Sequence, residues 1–103
     1  DMPITMSNLK SRPVCKVRFK IDAEDAAGAR EAYIVGSFNS WNERSHPMKR
    51  NKNGSFGLEL EFPREQDIQF RYLLDDGRWL NEKEATEYVF CSYAGTDNSV
   101  LKL

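Results

Sequence analysis

The sequence predicts an all-β fold, an antiparallel β-sandwich of about seven short strands. Two observations lead to this fold class: apolar and polar residues alternate in several stretches, and turn-forming residues separate those stretches. The chain has 103 residues, of which 40% are apolar, and this length suits one small domain. It is too short for a (β/α)8 barrel, which needs about 250 residues.

The first predicted strand spans residues 14–21. Its alternation places four apolar side chains on one face, namely Cys15, Val17, Phe19 and Ile21. The opposite face carries Lys16, Arg18 and Lys20, which we expect to be solvated, with Glu59 and Glu61 as candidate partners on a later strand. Residues 1–13 contain two prolines and show no alternation. We therefore expect a flexible N-terminal lead-in over 1–13 and the β-sandwich over 14–103.

The next segments combine a loop, a strand and a turn. Residues 22–30 are acidic and alanine-rich, and they are too short for an independent helix, so we expect a loop with at most one helical turn. Residues 32–36 are rich in β-forming side chains and predict the second strand. A turn-rich segment follows and carries Trp41.

The rest of the chain predicts further short strands. They cover residues 48–50, 55–62, 68–74, 78–80, 88–91 and 99–103. Asn53-Gly54 and Asp75-Asp76-Gly77 are hairpin signals between them. On the strand over 68–74, one face carries Ile68, Phe70 and Tyr72 and the other carries Gln69, Arg71 and Leu73.

Charge and hydropathy exclude two classes of partner. The chain has 15 Lys and Arg against 16 Asp and Glu, a formal net charge of −1. We expect no nucleic-acid partner, because nucleic-acid-binding domains are usually strongly basic. We also expect no membrane partner, because the sequence contains no run of about 18 apolar residues.

The sequence offers no catalytic residue, no metal ligand set and no cofactor motif. His46 is the only histidine and has no second ligand at metal-binding spacing. Asp75 and Asp76 are adjacent in a tight turn, so they cannot flank a glycosidic bond as the two carboxylates of a glycosidase do. The glycines do not have the spacing of a phosphate-binding loop. We therefore expect a protein that is not an enzyme and needs no metal or cofactor.

The chain contains two cysteines, Cys15 and Cys91. We favour a buried free thiol for Cys15, because it falls on the apolar side of its strand, and a Cys15–Cys91 bridge is the open alternative. The N-terminus shows no basic segment followed by an apolar one, so we expect a cytoplasmic protein.

Trp41 and Trp79 both lie in turn-rich segments among polar residues. An indole on a rigid turn offers a flat contact surface at low entropic cost, which suits the apolar face of a sugar ring. Arg71 and Asn98 offer hydrogen-bonding groups for the surrounding hydroxyls. The pattern favours a sugar site slightly over the alternative, in which one tryptophan fills the core and the other holds a loop.

Three sequence blocks occur together in the order of a known family. They are Gly36-Ser37-Phe38-Asn39-Ser40-Trp41-Asn42 with Pro47-Met48, Phe70-Arg71-Tyr72-Leu73-Leu74-Asp75-Asp76-Gly77-Arg78-Trp79, and Gly95-Thr96-Asp97-Asn98-Ser99-Val100. With them the chain resembles the family-48 carbohydrate-binding modules. This family includes the early-set N-terminal domains of isoamylases and branching enzymes and the glycogen-binding domain of the AMP-activated protein kinase beta subunit.

The resemblance implies an immunoglobulin-like, early-set β-sandwich that binds α-1,4-linked glucans without catalysis. It implies that Trp41 and Trp79 stack on glucose rings, that Arg71 and Asn98 bind hydroxyls, and that Thr96 is a neighbouring contact. Three departures from the family pattern stand out. Arg71 replaces a lysine, the turn before Trp79 is one residue longer and predicts a tilted indole, and Ala94 replaces a larger apolar residue, which predicts weaker binding.

The partner that we expect from the resemblance is an α-glucan oligosaccharide or polysaccharide. A glucan-metabolising enzyme or a regulatory protein is the second expected partner. The alternative function is a protein-interaction or scaffold module in which sugar binding has been lost.

Overall fold

The computed structural model describes residues 4–8 and 13–103. Within them the chain forms nine strands and one single-turn helix, α1 (Ala23–Ala26). The strands are β1 (Thr5–Asn8), β2 (Val14–Ile21), β3 (Ala32–Gly36), β4 (Lys49–Arg50), β5 (Phe56–Pro63), β6 (Asp67–Leu74), β7 (Trp79–Leu80), β8 (Glu87–Cys91) and β9 (Thr96–Lys102). The helix is the single turn that residues 22–30 predict.

The strands form two antiparallel sheets. The first sheet has the order β1-β2-β5-β4, and the second has the order β3-β6-β9-β8 with β7 attached to β6. The aromatic rings of Phe19 in the first sheet and Phe70 in the second meet edge to face at 5.2 Å, so a shared core lies between the sheets. The predicted antiparallel β-sandwich is confirmed.

The prediction of a flexible lead-in over 1–13 is wrong for residues 5–8. These residues form β1, which pairs with β2 so that Met6 lies opposite Val17. A short edge strand is held by main-chain hydrogen bonds to its neighbour, and it therefore needs no side-chain alternation. Ile4 just before β1 is buried in the core. The rest of the predicted lead-in, apart from Pro13, which is exposed, lies outside the described residues.

The predicted two-faced pattern of β2 is confirmed. Cys15, Val17, Phe19 and Ile21 are all buried. On the opposite face Glu59 of β5 lies 3.7 Å from Lys16 Nζ and 3.5 Å from Arg18 Nη1. These ion pairs are exposed, so they neutralise the strand's surface and add little to stability.

Strand β6 changes its pairing partner along its length, and this change shapes the second sheet. Residues from Asp67 to Phe70 pair with β9, whereas Tyr72 and Leu73 pair with β7. Arg71 lies at the change of partner. The C-terminal end of β6 and the N-terminal end of β9 are therefore not paired with each other, and this leaves room for a groove between them.

Other sequence expectations concern cysteines, metals and membranes. Both cysteines are free thiols in the described chain, with Cys15 buried and Cys91 half-buried, so the buried-thiol interpretation is confirmed. Across the described residues no three potential ligand side chains gather as a metal site would require. No helix of that part of the chain has the length and apolarity to cross a membrane.

Candidate functional site

Trp41 is held in place by the turn that follows β3. After a short 3₁₀ turn (Ser37–Asn39), Ser40 and Trp41 have left-handed backbone angles, with φ of 56° and 58°. The Trp41 N–H donates to the Gly36 carbonyl oxygen at 2.8 Å. A bulky residue in this conformation is strained by about 1–3 kcal/mol, and such strain is typical of positions where a side chain must be presented in one direction.

The side chain of Asn39 fixes the same turn from inside. Its Oδ1 accepts a hydrogen bond from the Gly36 N–H at 3.0 Å, and its Nδ2 donates to the Ile34 carbonyl at 3.2 Å. The same amide lies 3.0 Å from His46 Nδ1. The loop that carries Trp41 is therefore pre-organised.

Trp79 begins β7 after the hairpin turn over residues 75–78. Within this turn Arg78 Nε binds Asp76 Oδ2 at 2.7 Å, and Arg78 Nη2 donates to the Ala26 carbonyl of α1 at 2.7 Å. Trp79 lies opposite Leu73 of β6, on the sheet face that also carries Arg71. The turn is therefore anchored to α1, and this fixes the main chain from which the Trp79 indole projects.

Arg71 lies between the two indoles. Its guanidinium carbon is 4.6 Å from the centre of the Trp79 ring and 5.8 Å from the centre of the Trp41 ring. Both distances are within the range of cation–π attraction. The arginine therefore holds the two aromatic groups on one surface. Its Nε atom is buried and has no hydrogen-bond partner among the described residues.

Asn98 lies on β9 beside this surface and is only 3% exposed. Its Nδ2 donates to Gln69 Oε1 at 3.1 Å. Its Oδ1 is buried and accepts no hydrogen bond from the described residues. Buried polar atoms are nearly always paired, so an unpaired donor on Arg71 and an unpaired acceptor on Asn98 need a functional explanation.

Asn81 bridges the gap between β7 and β9. Its Nδ2 donates to the Asp97 carbonyl at 2.9 Å, and its Oδ1 accepts from Ser99 Oγ at 2.6 Å. Ser99 Oγ in turn accepts from the Glu82 N–H at 2.8 Å. This network fixes the distance between the strand of Trp79 and the strand of Asn98.

These elements surround an open groove of about 730 Å³ on the outer face of the second sheet. It is lined by Val35, Trp41, Glu43, Gln69, Arg71, Trp79, Cys91, Tyr93, Ala94 and Asn98. Its volume falls in the range of small-molecule sites, and the groove is open to solvent, as suits an extended ligand.

The groove contains four of the five residues that the sequence predicts for a sugar site. Trp41, Arg71, Trp79 and Asn98 line it, whereas Thr96 does not. Thr96 is exposed at the start of β9, two positions before Asn98. Trp41 is 36% exposed and Trp79 is 38% exposed, so neither fills the core, as the alternative interpretation required. The tilt of Trp79 stays a prediction.

Gln69 and Tyr93 line the groove but are not among the site residues that the sequence predicts. Gln69 was detectable, because it lies two positions before Arg71 on the same face of β6 and alternation places both outward. Tyr93 lies in the β8–β9 turn, where no periodicity shows which way a side chain points. Val35, Glu43, Cys91 and Ala94 complete the lining.

Comparisons with known proteins give one family and several relatives. The sequence profile described as "Carbohydrate-binding module 48 (Isoamylase N-terminal domain)" matches residues 13–94. The 5'-AMP-activated protein kinase subunit beta-1 of Sus scrofa is 34% identical over 76 residues, which are 74% of this chain and 57% of that protein. The 1,4-alpha-glucan-branching enzyme of Candida glabrata is 36% identical over 63 residues, which are 52% of this chain and 9% of the enzyme.

A chloroplastic/amyloplastic 1,4-alpha-glucan-branching enzyme of Oryza sativa subsp. japonica is 29% identical over 65 residues, 56% of this chain and 8% of the enzyme. The match covers 57% of the Sus scrofa sequence, 26% of the beta-1 subunits of Rattus norvegicus and Homo sapiens, and less than a tenth of either branching enzyme. The predicted resemblance and the immunoglobulin-like β-sandwich class are confirmed. The matched range ends at residue 94, so the assignment of Asn98 to the groove rests on its geometry alone.

Proposed function

Because this chain belongs to the carbohydrate-binding module 48 family, we propose that it binds α-1,4-linked glucans, such as glycogen or starch, in the groove between Trp41 and Trp79. The proposed ligand is a neutral polysaccharide. A formal net charge of −1 suits such a ligand, since no charge needs to be balanced. The relatives support the substrate class, because two of them are named as 1,4-alpha-glucan-branching enzymes.

The unpaired polar atoms of the groove carry the proposal. Arg71 Nε is a buried donor and Asn98 Oδ1 is a buried acceptor, and each lacks a partner within residues 4–8 and 13–103. A sugar hydroxyl both donates and accepts hydrogen bonds, so ligand hydroxyls are suited to both atoms. An unpaired buried polar atom costs about 1–3 kcal/mol, and pairing it with a ligand recovers that free energy.

The aromatic groups support a sugar, rather than another polyol, as the proposed ligand. The C–H face of a glucose ring is apolar and flat enough to stack on an indole. Two indoles separated by a guanidinium provide two such surfaces with polar groups between them. An α-1,4-glucan repeats the same combination of apolar faces and hydroxyl rims along its chain.

We propose that binding is the whole chemistry of this domain. The carboxylates of the β6–β7 turn are engaged in local structure, since Asp76 binds Arg78 and Asp75 Oδ1 accepts from the Arg30 N–H at 3.0 Å. They therefore do not face each other across the groove. The groove binds without a metal or a cofactor. Purified protein incubated with glycogen is expected to release no reducing sugar.

NMR titration tests the proposal. Maltoheptaose or β-cyclodextrin is expected to shift the indole N–H signals of Trp41 and Trp79, with modest affinity because the groove is open. Cellopentaose, which has β-linkages, is the control sugar and should leave both signals in place. Unchanged indole signals at millimolar maltoheptaose would show that this groove is not the glucan site.

The edge of the second sheet favours a second function, binding of a protein partner. Strand β8 is the last strand of that sheet, and Tyr88, Val89 and Phe90 on it are all exposed. An exposed apolar edge strand is a surface on which another chain can add a strand. We propose a glucan-metabolising enzyme or a regulatory protein as this partner, with a cytoplasmic location that suits two free thiols. Affinity capture with wild type and with Val89→Lys, which charges the edge, tests it.

A further inference from the structure

Tyr93 is the most exposed large aromatic residue of the described chain. The residue is fully exposed to solvent. Packing against the fold therefore contributes nothing to its place in the structure. The residue nevertheless lines the same groove as Trp41 and Trp79.

The turn that carries Tyr93 is well fixed. Strands β8 and β9 pair over five residues, and the last pair is Cys91 with Thr96. The Gly95 N–H donates to the Cys91 carbonyl at 2.8 Å, and Gly95 has a left-handed φ of 71°, which glycine adopts without strain. The hairpin therefore presents Tyr93 from a defined position rather than from a flexible loop.

The space between Tyr93 and the polar floor of the groove is open. Ala94 lies beside Tyr93 and contributes only a methyl group to the lining. Arg71 and Asn98 lie deeper, on β6 and β9. Of the β8–β9 turn, Tyr93 and Ala94 line the groove, so Tyr93 is the one large side chain that this turn adds to the lining.

We propose that Tyr93 is a third stacking surface, which makes the groove select longer α-glucan chains over short ones. This inference rests on the proposed function and adds a chain-length preference to it. A short oligosaccharide occupies the two indoles only. A longer one also reaches the phenol ring and gains a further aromatic contact.

The expected change in binding affinity follows from the free energy that one aromatic contact contributes. An aromatic pair contributes about 0.5–1.5 kcal/mol beyond its buried area, which corresponds to about a two- to tenfold change in affinity. Tyr93→Ala is therefore expected to weaken maltoheptaose binding by about this factor and to leave maltotriose binding unchanged. Tyr93→Phe keeps the ring and is expected to bind maltoheptaose like wild type.

Phe90→Ala is the matched control. Phe90 is 65% exposed on the same hairpin, but it lies one position from Cys91 and so points to the opposite face of β8. Phe90→Ala is expected to bind both maltotriose and maltoheptaose with the affinity of wild type. Thermal unfolding of each variant confirms that the hairpin is intact, since an exposed side chain at a turn can be removed without loss of core packing.

Calorimetric titration of the full chain with maltotriose and maltoheptaose gives distinct outcomes. If wild type binds both sugars and Tyr93→Ala loses only the advantage of the longer one, the inference holds. If wild type binds them and Tyr93→Ala weakens both equally or neither, the inference is overturned and the proposed function stands. If wild type binds neither sugar, both the proposed function and the inference are overturned.

Discussion

The guanidinium carbon of Arg71 lies 4.6 Å from the centre of the Trp79 ring, in a groove where the same arginine has a buried Nε without a described partner. One side chain thus supports an aromatic surface and offers a hydrogen-bond donor next to it. The position follows from β6, which pairs with β9 up to Phe70 and with β7 from Tyr72 onwards. Arg71 lies between these two pairings, where the sheet opens.

Replacement of Arg71 by methionine tests this double role. Methionine keeps an apolar stem and removes every donor. We expect R71M to weaken maltoheptaose binding at least about tenfold, because hydrogen bonds to charged groups contribute about 1.5–3 kcal/mol. The matched control is R44M, because Arg44 lies 5.0 Å from the centre of the Tyr33 ring and does not line the groove. Equal affinities of R71M and wild type in calorimetry would contradict the role of Arg71.

Gly36 connects the packing of the second sheet to the Trp41 loop. A Cβ at this position would lie 2.8 Å from the Phe70 Cβ and against the main-chain oxygen of Gln69. We expect G36A to lower the free energy of unfolding by about 1–3 kcal/mol, as overpacking usually does. It should also weaken glucan binding, because the Gly36 carbonyl accepts the Trp41 N–H.

Gly57→Ala is the control for this change. A Cβ at Gly57 meets its nearest heavy atom, the Phe19 carbonyl oxygen, at 3.7 Å, which is ordinary contact. We expect G57A to change the free energy of unfolding by less than about 1 kcal/mol. Urea unfolding of G36A and G57A measures the free energy of unfolding of each variant. If G36A is as stable as G57A, the close approach of β3 and β6 does not constrain the Trp41 loop.

The buried carboxyl of Glu82 makes stability depend on pH. Glu82 is 1% exposed, and Tyr72 Oη donates to its Oε1 at 2.7 Å. Burial raises the pKa of Glu82 above its ordinary value of 4.5, although hydrogen bonds from Tyr72 and the Glu84 N–H act in the opposite direction. The folded state therefore binds the proton more tightly than the unfolded state does.

The sign of the pH effect follows from linkage. The contribution of Glu82 to stability is complete below the ordinary pKa and is lost as the pH rises through the raised pKa. Glu82→Gln removes this titration and keeps an acceptor for Tyr72. Urea unfolding of both proteins between about pH 4 and pH 7 is expected to show wild type losing stability relative to E82Q as the pH rises. If the difference in free energy of unfolding between wild type and E82Q stays constant with pH, the raised pKa of Glu82 is contradicted.

The sequence predicts the strands well because alternation determines which face of a strand is buried. It therefore places Arg71 outward and Phe70 inward, and the hairpin signal places Trp79 beside them. It does not predict β1, whose pairing depends on main-chain hydrogen bonds to β2. Nor does it predict the groove, since the change of partner in β6 depends on the register of three strands. Thr96 shares a strand face with Asn98, yet it does not line the groove.

Cys91 provides a chemical probe of the groove, and Cys15 is its internal control. Cys91 is half-buried and lines the groove, whereas Cys15 is buried in the core. We expect N-ethylmaleimide to label Cys91 in the folded protein and Cys15 only after unfolding, because the reagent needs an accessible thiol. If maltoheptaose binds in this groove, as proposed, labelling of Cys91 should slow about tenfold when free sugar is about ten times Kd. Mass spectrometry after timed labelling measures both rates. An unchanged Cys91 rate, under conditions where calorimetry shows bound sugar, would contradict binding in this groove, because Cys91 lines it together with Trp41 and Trp79.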